Sequence, residues 1–288
     1  MNIRISPLKA IEKLSLFLEE MNTVPESHIG YCGETKEEIA HTLYHAHIFQ
    51  TFVVAYDEEK LIGALGLDID KESKSAEVWG PFIKNGRDYQ LADRLWGKAN
   101  ALLTSEVNEF SFFVNINNEF VQQFAIHKNA INKGNHLLLK AFRKDLGGVD
   151  LAQIESYDLA YKDSFMSLHE ETFQNTYYKA AEILDRLSDH NQLFVVNDKE
   201  GSIKGYVYVE ADPEYNEGTI EYIAVAADYQ KQGIGTILIR AALYYLFSFK
   251  KIEEISLSVA KENDKANRLY KAAGFKEVHE LIHYQIKE

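Results

Sequence analysis

The two halves of this 288-residue chain share a sequence pattern in the same order. Phe52-Val53-Val54 is followed by Gly63, and Phe194-Val195-Val196 is followed by Gly205 at the same spacing. The matches continue with an Asp-Tyr-Gln triplet at 88–90 and 228–230, and with the similar segments 109–118 and 254–263. The offset stays near 140 residues throughout, which indicates a duplicated domain.

Each half is predicted to contain two helices, a hairpin, a strand, a long helix, a strand, a short helix and terminal strands. In the second half this order gives helices near 160–172, 179–190, 233–249 and 264–273, and strands near 193–197, 203–210, 218–225, 254–259 and within 275–287. The pattern predicts an α+β fold of two tandem domains, each a mixed, mostly antiparallel twisted sheet flanked by helices. Gly147 and Gly148 interrupt it, which predicts domains at 1–149 and 150–288.

A glycine-containing loop, QKQGIGT at 230–236, follows the apolar run 222–225 and opens a long apolar helix. Gly233 and Gly235 let the backbone approach a ligand without a Cβ in the way. The N–H groups and the positive dipole end of a helix N-terminus favour an anion, most often a phosphate. A nucleotide-binding P-loop is not matched because no Lys follows the glycines, and the third glycine of a dinucleotide fold is missing.

A second motif, NDKANRLYKAAGF, occupies 263–275. Together with the strand ending at Ile223-Ala224-Val225 and the loop 230–235, it makes the second half similar to the GNAT superfamily of acetyl-CoA-dependent N-acetyltransferases. The family signature N-x-x-A-x-x-L-Y-x-x-x-G-F is matched at every specified position. The resemblance covers about residues 150–288, and the first half resembles a degenerate GNAT-like copy.

The resemblance implies a role for each part of the second half. The pyrophosphate of coenzyme A would lie on the N–H groups of 232–236, with the pantetheine arm beside the end of the strand 218–225. The N–H of Val225 would stabilise the oxyanion formed when an amine attacks, and Tyr270 would protonate the leaving thiolate. The implied cofactor-binding residues are Ile223, Val225, Gln230, Lys231, Gln232, Gly233, Ile234, Gly235, Thr236, Asn263, Asn267 and Tyr270.

Several of these side chains also have a purely structural interpretation. Tyr270 could pack its ring on the sheet, Asn263 is placed to cap the helix that follows, and Asn267 could be a solvated helix residue. Glu221 lies on the same strand face as Val225, which makes it a candidate catalytic base. A cross-strand ion pair is the alternative for Glu221, and an amine that arrives neutral needs no base.

The histidines give no clear metal site. His41 and His45 share a helix face at a spacing that can bind zinc, near Glu37 and Glu38, but His47 points elsewhere. A polar helix face explains them, and we predict no metal. The remaining candidates are scattered through the sequence and indicate no site: His169, His190, His279 and His283.

The first half has lost the residues that carry the resemblance. Aligned on the Asp-Tyr-Gln triplets, Asp93 replaces Gly233 and Leu95 replaces Gly235. An aspartate repels an anion, and a leucine blocks a close backbone approach. Ala125, or Phe124 one register away, stands in the place of Tyr270 without a hydroxyl. We therefore predict that residues 1–149 do not bind coenzyme A.

Composition limits the partners. The net charge of −13 disfavours nucleic acid, and it suits a cationic substrate. The single cysteine, Cys32, cannot form an internal disulfide, which is typical of a reducing cytosol. The first 22 residues do not resemble a signal peptide, and no apolar run is long enough to span a bilayer. We expect a cytoplasmic monomer or homodimer that binds no membrane.

These features predict an N-acetyltransferase that moves the acetyl group of acetyl-CoA to a primary amine by direct attack in a ternary complex. The acceptor would be a small-molecule amine or a peptide N-terminus. Two alternatives remain: a transferase that uses a longer acyl or an aminoacyl donor, and a non-catalytic acyl-CoA sensor or scaffold.

Overall fold

The computed structural model describes residues 3–8, 10–84, 86–148, 150–198 and 200–287. The chain divides into two compact units. Unit 1 is Met1–His136 with His279–Glu288, and unit 2 is Leu137–Val278. Among the described residues, no helix is long and apolar enough to cross a membrane.

Unit 1 is built on a sheet of strand order β1-β2-β3-β4-β5-β12-β6, in which β4 and β5 are parallel. Its strands are β1 (Ile3–Pro7), β2 (Val53–Asp57), β3 (Lys60–Asp70), β4 (Ser75–Ile83) and β5 (Glu109–Asn115), with parts of β6 (Ile131–Phe142) and β12 (Lys276–Lys287). Its helices are α1 (Ile11–Asn22), α2 (Lys36–His45), α3 (Tyr89–Asn100) and α4 (Glu119–His127). Apolar residues of these helices and strands form one continuous core.

Unit 2 contains an antiparallel sheet of order β10-β9-β8-β7, and β11 pairs with β6. Its strands are β7 (Glu155–Ser156), β8 (Asn191–Asn197), β9 (Ile203–Asp212), β10 (Glu217–Val225) and β11 (Glu254–Ala260). Its helices are α5 (Lys162–Thr172), α6 (Ala180–Asp185), α7 (Ile234–Leu246) and α8 (Asp264–Ala273). Two apolar clusters pack on the strands, one formed with α7 and α8 and the other with α5 and α6.

The predicted α+β class with mostly antiparallel sheets is confirmed, and most helices and strands of the second half lie where the sequence places them. The helix predicted at 179–190 ends earlier, at Asp185. The Ser188 hydroxyl accepts hydrogen bonds from the backbone N–H groups of His190 and Asn191, so this segment turns instead of continuing the helix. Residues 276–287 form one long strand rather than several.

The compact units are bounded differently from the predicted domains 1–149 and 150–288. The second part of β6 belongs to unit 2, while the end of β12 belongs to unit 1, where residues 281–287 pair antiparallel with β5. Each strand has 12 residues and spans about 40 Å, which is long enough to contribute to both units. The last strand of each half thus helps to complete the unit formed by the other half.

Candidate functional site

A cavity of about 750 Å³ lies in unit 2 between the end of β10, the first turn of α7 and one side of α8. Its lining consists of Thr172, Ile223, Ala224, Val225, Tyr229, Gln230, Lys231, Gly233, Ile234, Gly235, Thr236, Lys265, Arg268 and Leu269. Eight of the predicted cofactor-binding residues are in this set. The structure therefore brings the strand end and the glycine loop together around one space.

The first turn of α7 is open toward this cavity. Gly233 is the N-cap with φ 82°, a left-handed conformation that glycine adopts without a Cβ penalty. No side chain of the described residues caps α7, whereas the Asn263 side chain caps α8 by accepting from the N–H of Ala266 at 3.1 Å. The N–H groups of the first turn of α7 are thus left for water or for a ligand.

Positive charge surrounds the same end of the cavity. Lys231, Lys265 and Arg268 all line it. The Arg268 Nε donates to the carbonyl of Asp264 at 3.2 Å, and the Lys265 Nζ donates to Gln230 Oε1 at 2.7 Å. Three cations beside an uncapped helix N-terminus make an environment for an anion with several charges, such as a pyrophosphate.

The strand β10 presents an open backbone edge to the cavity. It is the end strand of its sheet, and the N–H of Ala226 donates to Lys204 O on β9. Because backbone groups alternate along a strand, the N–H and C=O of Val225 point to the opposite, outer side. The carbonyl already accepts from Gln230 Nε2 at 2.9 Å. The Val225 N–H lies at the edge where an extended ligand could pair with it.

Five predicted residues lie outside the cavity lining. Asn263 is the α8 N-cap, as its structural interpretation predicts, and the Gln232 side chain donates to Asp228 O. Asn267 is not a solvated residue: it is 7% exposed, and its amide donates to the carbonyls of Ala260 and Lys261. Its Oδ1 has no hydrogen-bond partner among the described atoms.

The two predicted catalytic side chains have different surroundings. Tyr270 is half-buried, its ring packs edge-on to Phe275 at 5.5 Å, and burial raises the pKa of its hydroxyl. Glu221 is exposed and is the extra residue of a β-bulge between Ile220 and Tyr222. Both lie on elements that line the cavity, and their catalytic roles stay predictions.

In the first half, the helix that corresponds to α7 is α3, and it begins at a different place from the one that the sequence alignment predicts. α3 begins at Tyr89, directly after Asp88, whereas α7 begins only after the loop 231–233. The residue in the structural place of Gly233 is therefore Asp88 and not Asp93, and its carboxylate accepts from the N–H of Leu91 at 2.9 Å. Asp93 lies inside α3. The end of α3 is thus closed by its own cap.

Asp93 and Leu95 have structural roles inside unit 1. Asp93 forms an ion pair with Lys128 at 2.7 Å, and Leu95 is buried in the core of unit 1, so neither faces a ligand site at a helix end. The alignment on the triplets misplaces them because the intervening loop is absent from the first half. Phe124 and Ala125 are also core residues.

Unit 1 brings together one group that the sequence does not indicate. His279, which indicates no site in the sequence, lies with His28 and Glu34 in a cluster whose side-chain donor atoms are within 4.8 Å of one another. His28 is 1% exposed, and its ring lies 3.9 Å from that of His279. These three residue types can ligate a metal ion.

The hydrogen bonds of the cluster assign the tautomer of His279. The Asn115 Oδ1 accepts from the N–H of Asn117 at 3.0 Å, so its amide nitrogen must face His279 Nδ1 at 3.2 Å. The Nδ1 is therefore an acceptor, and the proton is on Nε2, which donates to Glu34 at 2.8 Å. The rings of His41 and His45 lie 4.2 Å apart with an interplanar angle of 34°, and these residues are not part of this group.

The sequence analysis missed six residues of the cavity: Thr172, Ala224, Tyr229, Lys265, Arg268 and Leu269. Lys265, Arg268 and Leu269 are three and four residues apart on α8, a spacing that places them on one helix face. This periodicity next to the signature 263–275 could have indicated them. Thr172 could not be found from local sequence, because only the tertiary fold brings the end of α5 to the cavity.

The second half of the chain is similar to proteins of a known family. Residues 158–275 match the acetyltransferase (GNAT) family. The N-alpha-acetyltransferase of Sulfurisphaera tokodaii is 31% identical over 111 residues, which are 35% of this chain and 66% of that protein. The spermidine N(1)-acetyltransferase of Escherichia coli is 28% identical over 143 residues, 47% of this chain and 76% of that protein. The chain thus spans slightly less than two thirds of the archaeal relative.

Two solved structures share the fold over nearly the whole chain. One is a GCN5-related N-acetyltransferase from Sphaerobacter thermophilus, with a TM-score of 0.69, 15% identity and coverage of 99% of this chain and 95% of that one. The other is a tandem GNAT protein from the clavulanic acid biosynthesis pathway, with a TM-score of 0.59, 15% identity and coverage of 99% and 98%. The chain therefore carries an acetyltransferase domain of the GNAT family, matched over residues 158–275.

Proposed function

We propose that unit 2 transfers the acetyl group of acetyl-CoA to a primary amine. The observation that carries this proposal is the uncapped N-terminus of α7, which opens on the same cavity as the free edge of β10. A helix end of this kind holds a phosphate group, and a free strand edge pairs with an extended chain that carries amide groups. Coenzyme A combines both features in one molecule.

The residues of the cavity suggest how the co-substrate would be held. The N–H groups of 232–236 would bind the pyrophosphate, and Lys231, Lys265 and Arg268 would balance its charge. The pantetheine arm would run along residues 223–225. Asn263 and Asn267 secure the start of α8 and so keep its cationic face in place.

The chemistry we propose is direct attack of the amine on the thioester within a ternary complex. The Val225 N–H points to the outer edge of β10, where it would donate to the carbonyl oxygen as negative charge develops. Tyr270 would donate a proton to the departing thiolate, and its raised pKa keeps that proton available at neutral and mildly alkaline pH. Glu221 would accept a proton from an acceptor that arrives as an ammonium.

The charge of the chain and the names of its relatives support an amine as the acceptor. The names of the curated relatives above include N-alpha-amino groups and spermidine as acceptors, and this chain carries a net charge of −13, which attracts cations. We propose a small-molecule amine or a peptide N-terminus, with the first half as a structural copy that does not bind coenzyme A. We also propose that the protein acts in the cytoplasm without nucleic acid, as a monomer or homodimer.

The test is a titration followed by turnover. Calorimetry with acetyl-CoA should show one site per chain. Release of free thiol from acetyl-CoA should then depend on an added amine, with spermidine and an eight-residue peptide with a free N-terminus as probes. No binding of acetyl-CoA, or thiol release at a rate independent of both amines, would contradict the proposal. Two sites per chain would contradict the role given to the first half.

A further inference from the structure

The loop 28–34 of unit 1 is held in place by a buried asparagine. The Asn22 side chain is fully buried, and its Oδ1 accepts from the N–H of Ile29 at 2.7 Å. Its Nδ2 donates to the carbonyls of Cys32 and Gly33 at 2.7 and 3.0 Å. A buried amide with its donors and its acceptor all engaged is costly to disturb. The loop therefore presents the residues at its two ends in fixed positions.

The backbone beside two histidines is anchored at the end of β5. The His28 carbonyl accepts from the N–H of Asn115 and from the Nδ2 of Asn118, both at 3.2 Å. Leu281 of β12 pairs with the same Asn115, and His279 lies two residues before Leu281. Hydrogen bonds to one strand end thus bring His28 and His279 together, and their rings lie 3.9 Å apart.

Glu34 completes a group of three side chains that can ligate a metal ion. Its Oε1 lies 2.8 Å from the Nε2 of His279 and 3.8 Å from the Nε2 of His28. Ligand atoms of a tetrahedral zinc site are about 3.4 Å apart, because each lies about 2.1 Å from the ion. The His28 side chain is 2% exposed, that of His279 18% and that of Glu34 34%. The group is thus buried on the histidine side and open to solvent on the side of the carboxylate.

We propose that His28, Glu34 and His279 bind one zinc ion, through the Nε2 of both imidazoles and an oxygen of the carboxylate. Zinc accepts imidazole and carboxylate ligands, and its filled d shell imposes no geometry. Water from the open side would be the fourth ligand. The ion would join the loop 28–34 to β12 and so stabilise unit 1. Zinc binding here does not depend on acetyl transfer, and the sequence alone predicts no metal.

Binding changes the tautomer of His279. Without zinc, the ring proton is on Nε2 and is donated to Glu34. A zinc ion on Nε2 displaces it, so the neutral ring carries its proton on Nδ1, facing Asn115. The Asn115 amide then turns its oxygen to His279, as an outer partner of a metal-bound histidine does, and releases the N–H of Asn117. Asn117 is exposed, so water can accept from its N–H instead. The two rings also separate by roughly 1 Å to give tetrahedral angles, which the partly exposed His279 allows.

The first test is calorimetry with zinc chloride on protein freed of metal by a chelator. We expect one ion per chain. Glu34→Gln keeps an acceptor for the Nε2 proton of His279 but loses the charge, and His279→Gln loses the imidazole. Each should raise the zinc Kd by at least about 100-fold, since loss of an outer partner alone costs about 10- to 100-fold. Urea unfolding without metal should show that both variants remain folded, and saturating zinc should raise the urea midpoint of the wild type only.

Asn115→Asp gives a result that a merely structural role does not predict. Aspartate accepts from His279 Nδ1 and from the N–H of Asn117 together, so the tautomer needed for zinc costs no hydrogen bond. This variant should bind zinc at least about tenfold more tightly than wild type. In a long-range ¹H–¹⁵N spectrum of wild type, zinc should move the proton of the His279 ring from Nε2 to Nδ1.

The matched control is the double variant His41→Gln/His45→Gln. These residues are another histidine pair whose spacing can bind zinc, and they lie on α2 outside the group. Its zinc Kd and stoichiometry should equal those of wild type. Loss of zinc binding in this double variant, with Glu34→Gln and His279→Gln binding normally, would place the ion on α2 and overturn the inference. Absence of zinc binding to wild type, or a Kd that Glu34→Gln and Asn115→Asp leave unchanged, would overturn it as well.

Discussion

Gly233→Asp should weaken coenzyme A binding strongly while leaving the fold intact. The substitution gives α7 the N-cap that α3 already has in Asp88. A Cβ at Gly233 meets no atom within 4 Å, so the change causes no clash. The left-handed φ of 82° costs an aspartate about 1 kcal/mol, and a side-chain cap returns a few tenths. The free energy of unfolding should therefore change by no more than about 1 kcal/mol.

The effect on binding should be much larger. A carboxylate about 5 Å from a phosphate charge is repelled by about 3 kcal/mol at an effective dielectric constant of about 20. This corresponds to a loss of about two orders of magnitude in affinity at low salt, and less at high salt because Gly233 is at the surface. The carboxylate also competes for the N–H groups that the phosphate would use.

Gly233→Asn is the matched control, because asparagine has the same shape, adopts the left-handed conformation and can cap the helix without a charge. Calorimetry with acetyl-CoA at two salt concentrations, together with urea unfolding of each variant, separates the effects. The Asp variant should bind at least about 30-fold more weakly than the Asn variant at low salt, with similar stability. If the two variants bind within about threefold of each other, the anion does not lie at the end of α7.

Two further predictions concern protonation. Tyr270→Phe should lower kcat at least about tenfold with an unchanged Kd for acetyl-CoA. Because burial raises the Tyr270 pKa, the wild-type rate should show no alkaline decline near neutral pH, and a decline there that is absent from Tyr270→Phe would contradict the acid role. In unit 1, Glu77 lies opposite Asp68, and desolvation with that charge raises its pKa to about 7. The raised pKa stabilises the folded state at low pH, and this stabilisation is lost as the pH rises from about 4 to about 7. At pH 8, Glu77→Gln should therefore be more stable than wild type by up to about 1 kcal/mol, because solvent screens the charge of this exposed side chain. At pH 4 the two proteins should be equally stable. Equal urea midpoints at pH 8 would refute this prediction.

The sequence contained enough information for the elements and for the backbone part of the site. Hydrophobic periodicity locates α7 and α8, and glycine chemistry marks the opening of the loop at Gly233. These features are local: they depend on neighbouring residues and on the conformations that those residues allow. For the same reason, Asn263 could be recognised as a cap before the structure was known.

Features set by distant contacts could not be obtained in this way. The assignment of parts of β6 and β12 to units other than those of their own halves depends on the strands with which they pair, and a strand pattern does not show its partners. The cluster of His28, Glu34 and His279 joins residues about 250 positions apart. The hydrogen bond from Lys265 to Gln230 depends on how α8 packs beside the loop, so neither residue alone indicated it.

The open end of α7 should make the stability of unit 2 depend on bound coenzyme A. Uncapped N–H groups and clustered cations destabilise unit 2 locally, and an anionic ligand would offset these costs. Free coenzyme A at 100 times its Kd should then raise the free energy of unfolding by about 2.7 kcal/mol. Dephospho-coenzyme A, which keeps the pyrophosphate, should retain most of this shift, whereas pantetheine, which lacks it, should give almost none at the same concentration. Equal shifts from all three ligands would mean that binding depends on the β10 edge alone, and that α7 is open for some other reason.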